Sequence, residues 1–470
     1  MDKTVERLVS VVPQERQLAW QRLEFTAFIH YGMNAFTDRE WGDGREPLSL
    51  FDPKALDTDQ WCESLAAAGI RACLYTAKHH DGFCMWHTRQ TDHHVMNAPY
   101  GKDIVASLAA SCRKYGLKLG IYLSPWDRHE AVYGMGKPYD DYFCAQLEEL
   151  LTGYGDIYAV WFDGACGEGP NGKRQVYDWE RYYGVIRRLQ PGAVISVCGP
   201  DVRWCGNEAG DTRASEWSVV PASLRDAERV QEASQRSDDA AFREKTIRSA
   251  DQDLGSREVV RDARALVWYP AEVNTSIRPG WFHHDSEDDR VRPLDKLVDI
   301  YCKSVGNNSV FLLNVPPHRD GYFAAPDVAR LREIGDWLRA TFRHNLAEGA
   351  VCTATSADGD HSPEKALTDD ESFWKAPDGV ESCRFSIKLP GVREITHVVL
   401  MEQLRLSQRV ESFTLLVRSE AGEVPVHHAT TVGWKRICVL SAPAVTDEVI
   451  IRFDASRVCP TLRFVGLYGN

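Results

Sequence analysis

Between about residues 25 and 342, short apolar runs alternate with longer segments whose apolar positions recur at helical spacing. The runs FTAFIHYG, IRACLYTA and IYAVWFDG are rich in β-branched and aromatic residues, as buried strands are. The intervening segments 57–69 and 103–116 begin near Asp or Thr and end at Gly, which are common start and stop residues of helices. This alternation predicts parallel βα units.

The number of predicted elements distinguishes a barrel from an open sheet. Strands are predicted at 25–32, 70–77, 117–125, 157–164, 193–199, 266–273 and 309–316, and helices at 57–69, 103–116, 140–155, 178–190 and 326–342. The chain therefore approaches eight βα units without a glycine-rich dinucleotide fingerprint, so a (β/α)8-like TIM barrel is favoured over a doubly wound sheet. The charged region 225–262 has little apolar periodicity and is predicted to be an insertion or a mobile loop.

Past residue 345 the pattern changes to short alternating runs separated by turn residues. They are CRFSIKLP, THVVLMEQ, ESFTLLVRSE, KRICVLSA, DEVIIRFDA and LRFVGLYGN. Alternation at a period of two with regular turns predicts an antiparallel β-sandwich. We therefore expect a catalytic barrel at residues 1–344 and a C-terminal sandwich at 345–470.

Charge and cysteine content narrow the classes of partner and compartment. The formal net charge is −13 and no basic run occurs, which argues against nucleic acid and anionic membrane surfaces as partners. The thirteen cysteines are odd in number and form no C-x-x-C pair, a pattern that fits a reducing compartment better than a disulfide framework. The N-terminus has no apolar signal-peptide core and no stretch approaches the roughly 20 apolar residues of a membrane span. A cytoplasmic protein is expected, unless a leader has been removed.

Polar and aromatic residues gather where the predicted strands end, which is where a barrel carries its catalytic groups. These residues are His30, Tyr31, His79, His80, Asp81, Trp86, Tyr122, Asp163 and Glu272. They are expected to face one mouth of the barrel.

Asp163 is the sharpest candidate among them. It follows the apolar run IYAVWF and precedes Gly164, so it stands at the rim of a buried strand. It could cap the next helix or pair with a base, or it could be a carboxylate nucleophile with a second acid nearby. The histidines at the neighbouring strand ends favour the nucleophile.

The cluster His79, His80 and Asp81 also permits a metal site. Adjacent residues of a strand point in different directions, and no H-x-x-x-H spacing or cysteine partner completes a ligand set. Binding of sugar hydroxyls is therefore favoured over binding of a metal.

Several motifs occur together in one order: FIHYG, KHHDGFCMW, GIYLSPWDRHE, VWFDG, GNEAG, SIRPGW and SVFLLNVPPHRDG. In this order they resemble the α-L-fucosidases of glycoside hydrolase family 29, over about residues 20–342. The resemblance implies a retaining enzyme without a cofactor that releases terminal α-L-fucose from oligosaccharides or glycoconjugates. It also implies a covalent fucosyl–enzyme intermediate on the aspartate of the W-F-D-G motif, here Asp163.

The acid/base is less constant in this family, and three glutamates are candidates. Glu208 in GNEAG is preferred, because this context resembles the family branch that prefers α-1,3 and α-1,4 linked fucose. Glu216 in ASEWS is the alternative and could instead pair with Arg213, while Glu272 ranks third.

The resemblance also implies a set of sugar-binding residues. His30, His79 and His80 hold the hydroxyls with help from Glu40 and Trp41, Trp281 and Arg278 line the pocket, and Tyr122 supports the nucleophile. Each has a simple packing alternative, strongest for Trp41 and Arg278. The C-terminal domain resembles discoidin-like modules, and bracing of the barrel is favoured there over sugar binding.

Two other functions are compatible with the same residues. One is a retaining glycosidase for another sugar, which hydrolysis of aryl fucosides against aryl galactosides would separate. The other is a binding protein with a decayed catalytic site. The presence of both candidate carboxyl groups in the sequence argues against it.

Overall fold

The structure is a computed structural model, and it describes residues 2–247 and 253–469. The N-terminal part contains these strands: β1 (Phe25–Ile29), β2 (Ala72–Lys78), β3 (Lys118–Leu123), β4 (Ile157–Phe162), β5 (Val194–Val197), β6 (Arg203–Trp204), β7 (Val219–Pro221), β8 (Leu266–Trp268), β9 (Ala271–Ser276) and β10 (Ser309–Asn314). Eight of them form one sheet in the order β5-β4-β3-β2-β1-β10-β9-β6.

All neighbours in this sheet are parallel, as the alternation of strands and helices predicts. A single parallel bridge between Ser196 and Val202 links the β5 edge to the residues just before β6 and nearly closes the sheet. The predicted (β/α)8-like barrel is therefore confirmed.

The helices of the described chain are α1 (Lys3–Ser10), α2 (Glu15–Gln21), α3 (Asn34–Thr37), α4 (Thr58–Ala67), α5 (Ile104–Tyr115), α6 (Lys137–Gly153), α7 (Trp179–Leu189), α8 (Ala227–Ala233), α9 (Ala240–Arg243), α10 (Arg257–Val260), α11 (Leu294–Ser304) and α12 (Ala325–Phe342). Asp57 and Asp103 cap α4 and α5 by accepting from backbone N–H groups in the first turn. Gly116 ends α5 in the left-handed conformation with φ 72°, which a glycine adopts without strain.

The sixth and seventh barrel strands differ from the prediction. The sixth is β6, which has only two residues and contains no hydrophobic run from which it could have been predicted. The predicted strand 266–273 is two strands, since β8 leaves the barrel to pair antiparallel with β7, and only β9 joins the main sheet. Glu272 is therefore the second residue of β9 and lies at the start of a barrel strand, not at its end.

The charged region 225–262 is an insertion that carries α8, α9 and α10 in the part of it that the structure describes. Its residues 248–252 lie outside the described residues. Asp226 and Asp239 cap α8 and α9, which explains how short helices form in a segment with little apolar periodicity.

The C-terminal part contains β11 (Val351–Ala354), β12 (Trp374–Lys375), β13 (Cys383–Met401), β14 (Val410–Ser419), β15 (Gly422–Ala429), β16 (Arg436–Ser456), β17 (Thr461–Leu462) and β18 (Phe464–Gly469). Six of them form an antiparallel sheet and β12 pairs with β17, so the predicted sandwich is confirmed. The runs CRFSIKLP and THVVLMEQ belong to one long strand, β13, whose register against β16 shifts twice along its length. The predicted division at residues 344 and 345 lies between α12 and β11.

The sandwich packs directly against the barrel through buried polar and aromatic groups. The guanidinium of Arg457 lies 3.9 Å from the centre of the Trp217 ring, a cation–π contact. Gln408 accepts from the backbone N–H of Ser218 (2.8 Å) and donates to the carbonyl of Glu216 (3.1 Å). These contacts join the sandwich to the barrel segment at residues 216–218.

All thirteen cysteines are free thiols, and all but Cys166 are buried. Across residues 2–247 and 253–469, no helix is both long and apolar enough to cross a membrane.

Candidate active site

A cavity opens at the carboxyl ends of the barrel strands. The residues that line it are Phe28, His30, Glu40, Trp41, His79, His80, Trp161, Asp163, Gly164, Ala165, Val197, Trp204, Glu208, Ser234, Gln235, Phe242, Asn274 and Trp281. The sequence predictions for Asp163, Glu208, His30, Glu40, Trp41, His79, His80 and Trp281 thus fall in one place.

Asp163 follows β4 directly, and its carboxylate is held from two sides. Oδ1 accepts from the backbone N–H of Ala165 (2.8 Å), and Oδ2 accepts from the hydroxyl of Tyr122 (2.9 Å). Burial raises the pKa of Asp163 above its usual value, while these hydrogen bonds act in the opposite direction because they stabilise the charged form. Tyr122 lies behind Asp163 and does not itself line the cavity, so its contact is with the candidate nucleophile.

Glu208 lies in the loop after β6 and contributes the second carboxyl group of the cavity. Its Oε2 accepts from the indole N–H of Trp281 (3.1 Å). Burial raises the pKa of Glu208 to about 7, the Trp281 hydrogen bond lowers it, and the negative charge of Asp163 raises it further. Burial thus raises both pKa values, and more hydrogen bonds oppose the rise at Asp163 than at Glu208.

The side chain of Asn207 stabilises the loop around Glu208. The side chain of Asn207 accepts from the backbone N–H groups of Ala209 (3.1 Å) and Asp211 (3.0 Å) and donates to the carbonyl of Asp211 (3.0 Å). This turn holds the backbone on either side of Glu208.

The two other candidate glutamates lie elsewhere. Glu216 is buried between Arg203 and Arg213, so it forms the ion pair that the sequence allowed as its alternative role. Glu272 is fully buried in the barrel, where its Oε1 accepts from the indole N–H of Trp161 (2.7 Å) and burial raises its pKa to about 7. Neither residue lines the cavity.

His30 is a neutral imidazole whose tautomer follows from its neighbour Asn314. The amide nitrogen of Asn314 donates to Ser276 Oγ (2.9 Å) and to the carbonyl of Trp281 (2.8 Å), so its Oδ1 faces His30 Nδ1 at 2.8 Å as an acceptor. His30 therefore carries its proton on Nδ1, and Nε2 is an acceptor. Burial lowers the pKa of His30 to about 4.

His80 has the same tautomer for a different reason. The hydroxyl of Ser124 donates to the carbonyl of Trp126 (2.6 Å), so it accepts from His80 Nδ1 (2.7 Å). The free Nε2 of His80 lies 3.8 Å from Asp163 Oδ2, and burial lowers the pKa of His80 to about 3. His80 thus faces the candidate nucleophile as a neutral acceptor.

His79 has the opposite tautomer. The amide nitrogen of Asn34 donates to His79 Nδ1 (3.3 Å) and also to the carbonyl of Glu40 (2.8 Å). His79 therefore carries its proton on Nε2, and burial holds its pKa well below the usual value. The three neutral rings present two acceptors and one donor, which suits sugar hydroxyls because each hydroxyl both donates and accepts.

Glu40 organises one wall of the cavity. Its carboxylate accepts from the backbone N–H groups of Trp281 (2.8 Å) and Phe282 (3.2 Å) and from His284 Nε2 (2.7 Å). The pKa of His284 rises to about 9, mainly through its hydrogen bond to Glu40. Trp41 stands edge-on to His80 with ring centres 5.3 Å apart, so Trp41 packs against a histidine of the cavity.

Arg278 does not reach the cavity, and the prediction that it lines the pocket is wrong. Its side chain is fully buried, with Nε on the carboxylate of Asp327 (2.9 and 3.0 Å) and Nη1 on Asp288 (2.8 Å). A buried guanidinium requires charged partners, and neither of these two carboxylates lines the cavity.

Several lining residues were missed from the sequence. Trp161 and Phe28 stand two positions before Asp163 and His30 on β4 and β1, so the period of two along a strand could have identified them. Asn274 is likewise two positions after Glu272 on β9. Trp204 and Phe242 had no such signal, because β6 is too short and α9 lies in the insertion.

The alternative interpretation of the cluster around His79 is a metal site, and the structure gives it no set of ligands. In the part of the chain that the structure describes, no three His, Cys, Asp or Glu side chains are grouped so that they could hold a metal ion.

A parallel barrel with two carboxyl groups, neutral histidines and tryptophans around one cavity is the arrangement of a glycoside hydrolase. The family model for α-L-fucosidase matches residues 45–341. Alpha-L-fucosidase 1 of Arabidopsis thaliana is 36% identical over 468 residues, covering 97% of this chain and 87% of that protein. The chain belongs to the α-L-fucosidases of glycoside hydrolase family 29, and it is a fucose-releasing glycoside hydrolase.

Solved structures agree over both domains. A putative α-L-fucosidase from Bacteroides ovatus superimposes with a TM-score of 0.86 at 42% identity, covering 99% of this chain and 75% of that one. A family 29 fucosidase of Ruminococcus gnavus in complex with fucose gives a TM-score of 0.84 at 27% identity, covering 98% of this chain and 95% of that one.

The burial of Arg278 generates a prediction about stability. Asp327→Asn leaves a fully buried guanidinium with one exposed partner, so we expect the free energy of unfolding to fall by about 3 kcal/mol. Asp288→Asn is the matched control, because it removes the half-exposed partner of the same arginine and should cost at most about 1 kcal/mol. Urea unfolding followed by tryptophan fluorescence measures both. If the free energy of unfolding falls by the same small amount in both variants and KM rises for Asp327→Asn, Arg278 contributes to substrate binding and our assignment is wrong.

Proposed function

We propose that the chain is a retaining exo-glycosidase that hydrolyses terminal α-L-fucose through a covalent fucosyl–Asp163 intermediate, with Glu208 as its acid/base. The observation that carries the proposal is that Asp163 and Glu208 line one cavity, where burial raises the pKa of Glu208 to about 7 while hydrogen bonds from Tyr122 and Ala165 oppose the rise at Asp163. A retaining enzyme needs a division between a charged nucleophile and a proton-bearing acid.

In the first step, a carboxylate oxygen of Asp163 forms a bond to the anomeric carbon as the bond from that carbon to the glycosidic oxygen breaks. Glu208 gives its proton to the departing oxygen, so the leaving group departs as a neutral alcohol. The Tyr122 hydroxyl and the Ala165 N–H favour the charged form of Asp163 before attack.

In the second step, water attacks the anomeric carbon, Glu208 accepts the water proton, and Asp163 is released as a carboxylate. The electrostatics support the change of role for Glu208. While Asp163 is esterified it carries no charge, so one of the influences that raise the pKa of Glu208 is absent. Glu208 is then a stronger acid and is ready as the deprotonated base.

For recognition of the sugar, we assign the hydroxyl contacts to His30, His79 and His80, with Glu40 and Trp41 beside them. The neutral state of all three histidines supports this, since an imidazolium could only donate. Trp281 and Trp161 supply flat apolar faces to the same cavity, which suit the C–H face and the methyl group of a six-deoxy sugar. Tyr122 acts on Asp163 and not on the sugar.

We further propose a preference for α-1,3 and α-1,4 linked fucose. The support is the G-N-E-A-G context of Glu208, which resembles that branch of the family, together with the compact turn that Asn207 builds around it. The substrates are accordingly fucosylated oligosaccharides or glycoconjugates.

The acid/base assignment is tested by comparing Glu208→Ala with Glu216→Ala. On a fucoside with a poor leaving group we expect Glu208→Ala to lose about 10²–10⁴-fold in kcat/KM, the usual contribution of a general acid. On an activated aryl fucoside, added azide should restore its turnover and yield a fucosyl azide of retained configuration, measured by NMR.

Glu216→Ala is the control in the same assay, because it removes a buried carboxylate that does not line the cavity. Its stability should fall, since Arg203 and Arg213 lose a buried partner, and azide should not accelerate it. A fucosyl azide formed by Glu216→Ala alone, or one of inverted configuration from Glu208→Ala, contradicts the mechanism.

The linkage preference has its own test. α-1,2, α-1,3, α-1,4 and α-1,6 fucosylated oligosaccharides are compared at one enzyme concentration by chromatography of released fucose. We expect kcat/KM for the α-1,3 and α-1,4 substrates to exceed that for the α-1,2 substrate by about tenfold or more, because the leaving group contacts the acid/base loop. Activity confined to aryl fucosides and α-1,2 linkages would assign the chain to the other branch.

A further inference from the structure

Two aromatic rings from different segments form a pair at the cavity. Trp204 ends the two-residue strand β6, and Phe242 lies in α9 of the insertion. Their ring centres are 6.3 Å apart and their planes are 20° from parallel. Both residues line the cavity and both are only partly buried, so aromatic surface is available there to a bound molecule.

The pair stands on the same side as Glu208. The indole N–H of Trp204 contacts the carbonyl of Asn207 (3.1 Å), the residue just before Glu208, and Asn274 Oδ1 (3.0 Å). Arg243, which follows Phe242, is close enough for its positive charge to lower the pKa of Glu208. Trp204 and Phe242 therefore flank the proposed acid, whereas the three histidines and Asp163 follow directly after barrel strands β1, β2 and β4.

The insertion is held in this position by contacts on both sides of Phe242 along the chain. Ser234 packs against Gly164 so closely that a Cβ on that glycine would overlap its hydroxyl. The backbone N–H of Ile247 donates to Asp211 Oδ2 (3.0 Å), and Asp211 belongs to the turn that holds Glu208. Arg243 also lies 3.7 Å from Glu40. The Phe242 ring is thus placed relative to both proposed catalytic carboxyl groups.

The proposed reaction determines which part of the substrate binds on this side of the cavity. The acid must approach the glycosidic oxygen, so the leaving group lies beside the acid, while the fucose lies over the nucleophile. Sugar rings present C–H faces that pack well on aromatic planes.

We infer that Trp204 and Phe242 form the platform for the leaving group, which is a pyranose attached to fucose through its glycosidic oxygen. Phe242 is then a specificity-determining residue that favours fucosylated oligosaccharides over fucosides with small leaving groups. The inference rests on the proposed role of Glu208 as the acid.

Phe242→Ala is compared with the parent enzyme on two substrates. α-L-Fucosyl fluoride has a leaving group with no C–H face and needs no proton from an acid, and fucosyl-α-1,3-N-acetylglucosamine has a pyranose leaving group. We expect kcat/KM for the disaccharide to fall about tenfold or more and that for the fluoride to stay within about twofold. Phe242→Tyr, which keeps the ring, should restore the disaccharide rate.

The control is Phe373→Ala, which removes a ring stacked on His361 in the C-terminal domain and should change neither rate. An equal loss on both substrates for Phe242→Ala, or no loss on either, overturns the platform.

Failure of the acid assignment has a separate signature. Glu208→Ala should keep most of its kcat/KM on the fluoride, since formation of the intermediate from that substrate needs no proton. If Glu208→Ala loses the fluoride and the disaccharide equally, the proposed function is wrong at Glu208 whatever Phe242→Ala does.

Discussion

The proposed mechanism depends on one electrostatic constraint: two buried carboxyl groups share a cavity, and charging both of them there is costly. Asp163 receives hydrogen bonds from Tyr122 and from the backbone of Ala165, which stabilise its charge. Glu208 is desolvated, lies in the field of Asp163 and keeps its proton to a pH of about 7. The barrel makes this possible because strand ends place both groups rigidly at one mouth.

The histidines satisfy a related constraint, which is that the pocket must bind hydroxyl groups without adding charge near the carboxylates. Burial holds His30, His79 and His80 neutral, and a layer of Asn314, Ser124 and Asn34 behind them selects which ring nitrogen carries the proton. The same logic explains why Arg278 is absent from the cavity. Its charge is matched by Asp327 and Asp288, which do not line the cavity.

Hydrophobic periodicity was sufficient to predict the barrel, the sandwich and most helices, because buried strands and capped helices leave local signals such as Asp103 and Gly116 around α5. The strand-end rule, with the family resemblance, was sufficient to bring Asp163, Glu208 and the histidines together. Both failed where pairing between distant segments decides the structure. β6 is two residues long, the run LVWYPAEV divides between two sheets, and the position of Glu272 follows from that division. The burial of Arg278 and the position of Phe242 likewise depend on contacts that no local pattern contains.

The most direct test of the central claim is to identify the atom that bonds to the sugar. 2-Deoxy-2-fluoro-α-L-fucosyl fluoride should form an adduct that accumulates, because the 2-fluorine destabilises the oxocarbenium-like transition states while the fluoride still leaves readily. Proteolysis and tandem mass spectrometry of the trapped enzyme should place one deoxyfluorofucosyl group on Asp163. A label on a different carboxylate, or full turnover of fucosides with no covalent adduct formed, would contradict the account.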